Sequence, residues 1–147
     1  MLCTPVADLS GVIALTVLSV QTASRCQLVS ITEQVSRAVE QSGIKQGICV
    51  VYVPHTTAGV MINENADPDV RHDILSHLER MVPFECSFRH VEGNSAAHIK
   101  SVLVGHSVTL IVEKGALVLG RWQDVYFAEF DGPRRRLVYV RVVGSPG

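Results

Sequence analysis

His90 and His98 flank a Gly93-Asn94-Ser95 turn in the stretch HVEGNSAAH, which sets two imidazoles beside a helix start. Imidazole binds metals and moves protons near neutral pH, and the free N–H groups of a first helical turn attract anions such as phosphate. A plain N-capped surface turn would use the same Asn94 and Ser95. A third imidazole, His55, follows an apolar run and opens the triplet His55-Thr56-Thr57. Together His55, His90 and His98 suit a divalent ion, Zn²⁺ ahead of Mg²⁺, with one coordination position left for water or substrate. Ordinary hydrogen-bonded histidines read the same way, because the H-x₇-H spacing is not a metal signature. His72 and His77 fall in a polar helix and His106 in a turn, where exposure to water is explanation enough.

Two further groups carry charge. Glu64 is a candidate fourth ligand or general base, or simply an acid that precedes a helix whose dipole welcomes it. In Asp131-Gly132-Pro133-Arg134-Arg135-Arg136 an extended chain would point Arg134 and Arg136 to one face and Arg135 to the other. Two guanidinium forks match phosphate oxygens, whereas a charge run that guards an edge strand needs no ligand. Trp122 and Gln123 are candidates for one wall of a pocket, or for plain packing.

The elements that must position these residues follow from periodicity. Val12 to Val20 reads as a strand, and Ser30-Ile31-Thr32-Glu33 as a capping box opening a helix with Ile31, Val35, Ala38 and Val39 on one face. Gly43 should end it. Gly47 to Pro54 reads as a largely buried strand, followed by the loop HTTAGVMINENADP. Asp67 and Pro68 then start a helix whose apolar stripe is Val70, Ile74, Leu78 and Met81, ending at Pro83. A third helix is expected from Ser95 to about Leu103, closed by Gly105. Strands at Ser107 to Glu113, Ala116 to Leu119, Asp124 to Phe130 and Arg136 to Val143 are joined by Lys-Gly, Gly-Arg and Asp-Gly turns, which favour antiparallel hairpins. The expectation is one α+β domain over residues 1–147, a largely antiparallel β-sandwich with two or three helices and about seven strands. Its single core should span about residues 10–143, with loose ends at about 1–9 and 144–147.

Composition narrows the function classes. The chain of 147 residues is 47% hydrophobic and 18% charged with net charge −1, which speaks against disorder and against an electrostatic nucleic-acid binder. Four scattered cysteines without a C-x-x-C pair suit a reducing compartment. The apolar run GVIALTVLSV is shorter than a bilayer span and lacks a basic flank, so it reads as a buried strand and the protein as cytoplasmic, with no membrane partner.

Taken in order, HTTAGVMINENADPDV, HVEGNSAAHIK and GALVLGRWQDVYFAEFDGPRRRLVYV resemble the small YjbQ-type proteins described as secondary thiamine-phosphate synthases. The resemblance covers about residues 47–143 and is looser toward the N-terminus. It implies an α+β sandwich assembled as a homotrimer, with pockets near subunit boundaries and a histidine metal site. Carried onto this chain, the matching positions are His55, Glu64, His90, His98, Arg134 and Arg136.

The implied reaction joins a pyrimidine pyrophosphate to a thiazole phosphate with release of pyrophosphate. In it Arg134 and Arg136 would clamp phosphate, Asn94 and Ser95 would donate hydrogen bonds, and Glu64 would move a proton or support the ion. A (β/α)₈ barrel, the fold of the better-known enzyme for this chemistry, needs about 200 residues or more and does not fit this length. Two other classes use the same residues: a metal-dependent phosphate-ester hydrolase, and a non-catalytic trimer that binds metal or a phosphorylated metabolite.

Overall fold

Alternation of inward and outward side chains builds most of this chain. In β8, Arg135–Ser145, the buried positions are Arg136, Val138, Val140 and Val142, while Arg135, Leu137 and Arg141 face out. The computed structural model describes residues 12–147. Around β8 lie β1 (Val12–Gln21), β3 (Gln46–Tyr52), β5 (Ser107–Glu113) and β6 (Ala116–Leu117), giving an antiparallel sheet of order β1-β8-β3-β5-β6. A second sheet, β2-β7-β4, is formed by β2 (Gln27–Ser30), β7 (Gln123–Glu129) and β4 (Ala58–Glu64). The helices among the described residues are α1 (Thr32–Ser42), α2 (Pro68–Met81) and α3 (Ser95–Val104). The α+β sandwich expected from the sequence is therefore the observed architecture.

The apolar interior divides in two, in place of one core. Between the sheets, Cys49, Val51, Leu110, Val138, Val140 and Val142 meet Ala58, Val60, Val125 and Phe127, and α1 adds Val35, Ala38 and Val39. Each such buried Val or Leu contributes roughly 1.5–3 kcal/mol. A second cluster, Leu28, Ala97, Tyr126, Ala128 and Phe130, lies on the opposite face of the small sheet, against Ile74, Leu75 and Leu78 of α2. The split follows from β7, where residues 124–129 are buried on both faces.

Several local expectations change. The segment read as a loop after His55 contains β4, and β2 was also missed, which makes eight strands among the described residues. Ser30 does not cap α1. Its backbone pairs with Tyr126 as the last residue of β2, the helix begins at Thr32, and no side chain caps it. Thr32 Oγ1 instead contacts Asp124 and accepts the Val125 N–H at 2.7 Å. Gly43 does end α1 in the left-handed conformation, φ 72°. Asp67 does cap α2, accepting the Asp69 N–H at 2.9 Å, although Met81 is exposed and no residue of α2 is fully buried.

Of the three expected hairpins, only Lys114-Gly115 makes one, with both residues at positive φ and Glu113 paired with Ala116. The Gly-Arg and Asp-Gly turns carry the chain from one sheet to the other. The expected loose end at 144–147 is partly ordered, since Gly144 and Ser145 pair with Gly47 and Gln46. Gly47 and Gly144 face each other there, and a Cβ on either would come within 2.0 Å of a carbonyl oxygen across the ladder. The expectation for residues 1–9, and Cys3 with it, lies outside the described residues.

The strand expected to be largely buried, β3, is covered on one side only. Cys49 and Val51 are buried, and burial pushes the Cys49 thiol up to about 11, while Ile48 and Tyr52 face out. Among the described residues no helix is long and apolar enough to cross a membrane.

Candidate functional site

One end of the sandwich gathers most of the chemistry-bearing residues. The turn at 93–94 delivers the chain into α3, and His98 returns one turn later beside His90, their rings edge to face with centroids 5.5 Å apart. Both border a cleft of about 440 Å³ that is also lined by Phe88, Arg89, Ser95 and Ile99. His90 Nε2 lies 3.6 Å from Glu92 Oε2.

Asn94 precedes α3 and joins this cleft to the β7–β8 connection. Its Nδ2 donates to Asp131 Oδ2 at 3.0 Å, and its Oδ1 is buried with no hydrogen-bond partner. The same Asp131 oxygen accepts from an Arg134 terminal nitrogen at 3.1 Å, and Arg134 Nε donates to the Asp131 carbonyl at 2.9 Å. Two of the five guanidinium N–H groups are thereby used, and the half-exposed fork keeps three for a ligand.

Arg136 behaves differently from the paired phosphate clamp expected of it. It is 3% exposed, and its Nε donates to Glu129 Oε2 at 2.8 Å while a terminal nitrogen reaches Glu129 Oε1 and Thr57 Oγ1. The reason is strand alternation: Arg136 is an inward residue of β8, whereas Arg134 precedes the strand and is free to fold onto Asp131. Arg135 points out and donates to Ser19 Oγ at 2.8 Å.

Glu129, which sequence reasoning did not single out, is the hub. Fully buried, it accepts from Thr22 Oγ1, from Arg136 and from the backbone N–H groups of Phe130 and Asp131. Burial by itself would raise its carboxyl, and the bonds from Arg136 and Asp131 outweigh that, holding Glu129 below the ordinary carboxylate value. An acid in the middle of an apolar strand, YFAEF, with arginines five to seven residues on, was the available signal.

His55 sits at this same end, two residues before Thr57. Its Nε2 accepts the Leu137 N–H at 2.9 Å. Burial, and then the Arg136 charge, lower its pKa below the usual imidazole value, so it is neutral at neutral pH. A neutral imidazole has one ring lone pair, and Leu137 occupies it. His55 therefore does not fit the metal-ligand role in this arrangement. His90 and His98, side by side on the cleft, are the residues that would hold such an ion, their imidazole nitrogens suiting a borderline divalent ion such as Zn²⁺. Among the described residues, no three His, Cys, Asp or Glu side chains gather as a metal-holding group.

Glu64 is not with them. It ends β4, six residues beyond Ala58 and so about 20 Å along the strand from the His55 end. Its neighbours are Gln123, its ladder partner, and Tyr126, whose hydroxyl donates to the Glu64 carbonyl at 3.2 Å. Trp122 is exposed there under the Arg121 guanidinium, 4.7 Å from the ring centroid, so it forms no part of the core. Gln123 Oε1 accepts the Gly120 N–H at 2.8 Å. His72 and His77 are exposed, and His106 Nε2 lies 3.0 Å from Ser101 Oγ.

Comparison with known proteins meets this geometry at the level of family. The family model described as UPF0047 protein YjbQ-like matches residues 16–145. The chain is 54% identical over 126 residues to UPF0047 protein MJ1081 of Methanocaldococcus jannaschii, covering 86% of this chain and 91% of that one. It superposes with a TM-score of 0.85 on the crystal structure of an uncharacterized YjbQ/UPF0047 family protein of Clostridium acetobutylicum, at 51% identity over 86% of this chain and 98% of the other. A YbjQ-like protein of unknown function from Sulfolobus solfataricus gives a TM-score of 0.87 at 35% identity, covering 90% and 98% of the two chains. With its sequence matched almost end to end and its sandwich superposed on solved members, this chain belongs to the YjbQ-like UPF0047 protein family.

Proposed function

We propose that the chain is a transferase of the thiamine-phosphate synthase type, acting on phosphorylated small molecules at the cleft lined by His90, Ser95 and His98, to which Asn94 and Asp131 link Arg134. The observation that carries this reading is Arg134: a guanidinium oriented by Asp131, half exposed, and bonded through Asp131 to the Asn94 turn at the start of α3. Guanidinium donors and helix-start N–H groups are the chemistry that holds a pyrophosphate.

In the reaction, the bond between the pyrimidine methylene carbon and the bridging pyrophosphate oxygen breaks, with its electron pair leaving on the oxygen. The lone pair of the thiazole ring nitrogen forms the new C–N bond. Arg134 and the Ser95 end of α3 lower the barrier by binding charge that grows on the departing group. A divalent ion bound by His90 and His98 would supply further positive charge to that oxygen. Arg136 and Glu129 act one layer back, fixing the backbone at Asp131 and so the aim of Arg134.

Incubation with the two precursors should produce thiamine phosphate and pyrophosphate in equal amounts. No product from these precursors would overturn the transferase reading. Inorganic phosphate released from phosphate esters, and stopped by chelation, would assign the cleft to hydrolysis instead. Tight binding without turnover would leave a binding protein.

The assembly belongs to the same proposal: a homotrimer in which a neighbouring copy completes the pocket. Leu15, Val17, Ile48, Tyr52, Ile111 and Leu137 are all exposed on the outer face of the large sheet, a contiguous apolar surface of the kind that marks an interaction site. Glu64, remote within one chain, would then come from a neighbour. Light scattering should give about three times 16.0 kDa, and Val17→Glu, which places a charge on that face, should reduce the mass to one chain; an unchanged mass would remove this face from the interface. A cytoplasmic location fits the free thiols of Cys26, Cys49 and Cys86.

A further inference from the structure

We propose that residues 82–94 form a strap around the N-terminal turns of α3, and that Phe84 is the positioning residue that holds His90 against His98. At 3.6 residues per turn, positions two apart point about 200° apart, so Lys100 and His98 leave α3 on opposite sides. The strap touches both. At its beginning, the Phe84 ring centroid is 4.4 Å from the Arg25 guanidinium carbon and 4.4 Å from Lys100 Nζ. Lys100 is 1% exposed and paired with Glu79, and the Phe84 N–H donates to the other Glu79 oxygen at 3.3 Å. At its far end, His90 meets His98 edge to face.

Between these anchors the strap has little of its own to hold it. Among the described residues, the only main-chain hydrogen bond within residues 83–93 runs from Phe88 N–H to the Cys86 carbonyl, 3.0 Å. The place of His90 is therefore set by what grips the strap. A buried ammonium needs partners, and the ring face supplies one that an aliphatic side chain cannot. The inference rests on the reading of His90 and His98 as a cation site, and it adds the element that tunes that site.

The test uses the whole protein and two readouts, exchange of the two hydrogen-bonded strap amides, Phe84 and Phe88, and affinity for Zn²⁺ alone. Phe84→Leu should raise exchange in the strap at least about tenfold and weaken Zn²⁺ binding about 10–100-fold, as lost support behind metal ligands does. Exchange in β8 should stay as in the parent protein. Phe84→Trp, which keeps the ring face, should stay within about threefold on both readouts. Arg25→Gln removes one cation from an exposed position and should raise strap exchange about 2–5-fold. Equal behaviour of the Leu and Trp variants, or strap exchange unmoved by Phe84→Leu, would overturn the proposal. Should β8 exchange also rise in Phe84→Leu, Arg25→Gln decides: a rise confined to the strap supports the proposal, and none overturns it. A parent protein that binds no Zn²⁺ defeats the cation site, while the exchange comparison still judges the strap.

Discussion

Arg136→Ala should cost the fold about 3–5 kcal/mol, because it leaves the fully buried Glu129 carboxylate without its cation. Denaturant titration would show the midpoint fall with the slope unchanged. The effect separates two roles that the sequence could not: a phosphate clamp would lose ligand affinity and keep its stability, whereas a structural ion pair loses stability first. A variant as stable as the parent would contradict the structural role.

The same pair sets an acid limit. Glu129 titrates lower in the folded chain than its ordinary value of 4.5, so its stabilisation is complete above about that pH. It is lost as the pH falls from there through the lower folded value. His55 acts in the same direction from a higher pH: its folded value lies below 6.5, so the unfolded chain takes up the proton first and stability declines as the pH drops below 6.5. Arg136→Ala should remove the acid-sensitive component due to Glu129, and a pH profile parallel to that of the parent would refute the assignment.

Arg134→Ala should have the opposite signature. Its ion pair with Asp131 is half exposed, which limits the stability loss to about 1 kcal/mol or less. Affinity for pyrophosphate should fall about tenfold or more and turnover to thiamine phosphate about 100-fold, since a charge-assisted donor to the leaving group is lost and Asp131 is left uncompensated beside it. Arg135→Ala is the control. That side chain faces away and bonds Ser19, so its loss should leave both quantities within about twofold. Equal losses in the two variants would reduce the arginine triplet to a general positive field, and no loss in either would remove Arg134 from the site.

These contrasting arginines show where sequence reasoning reached its limit. Alternation along a strand is local, so an inward and an outward position in 135–136 were legible in advance. Which side was inward depended on β8 lying between β1 and β3, and on Glu129 arriving from the other sheet. A guanidinium that points into an apolar interior takes whatever carboxylate is there. Ser30 makes the same point, since its capping box is a valid local pattern outcompeted by a ladder to Tyr126, 96 positions away, which satisfies its backbone instead.

The chain by itself determined its secondary elements wherever local chemistry was decisive: the Asp67-Pro68 start of α2, the Gly43 stop of α1, the Lys114-Gly115 hairpin and the amphipathic β8. It also determined that His90, Asn94, Ser95 and His98 would lie together, because a turn and one helical turn bring near neighbours into contact. Tertiary structure decided the rest: that His55 spends its lone pair on Leu137, that Glu64 stands at the opposite end of β4, and that Asp131 couples Asn94 to Arg134. Those relations join residues far apart in sequence, and only sheet register and burial select which of many compatible partners each polar group receives.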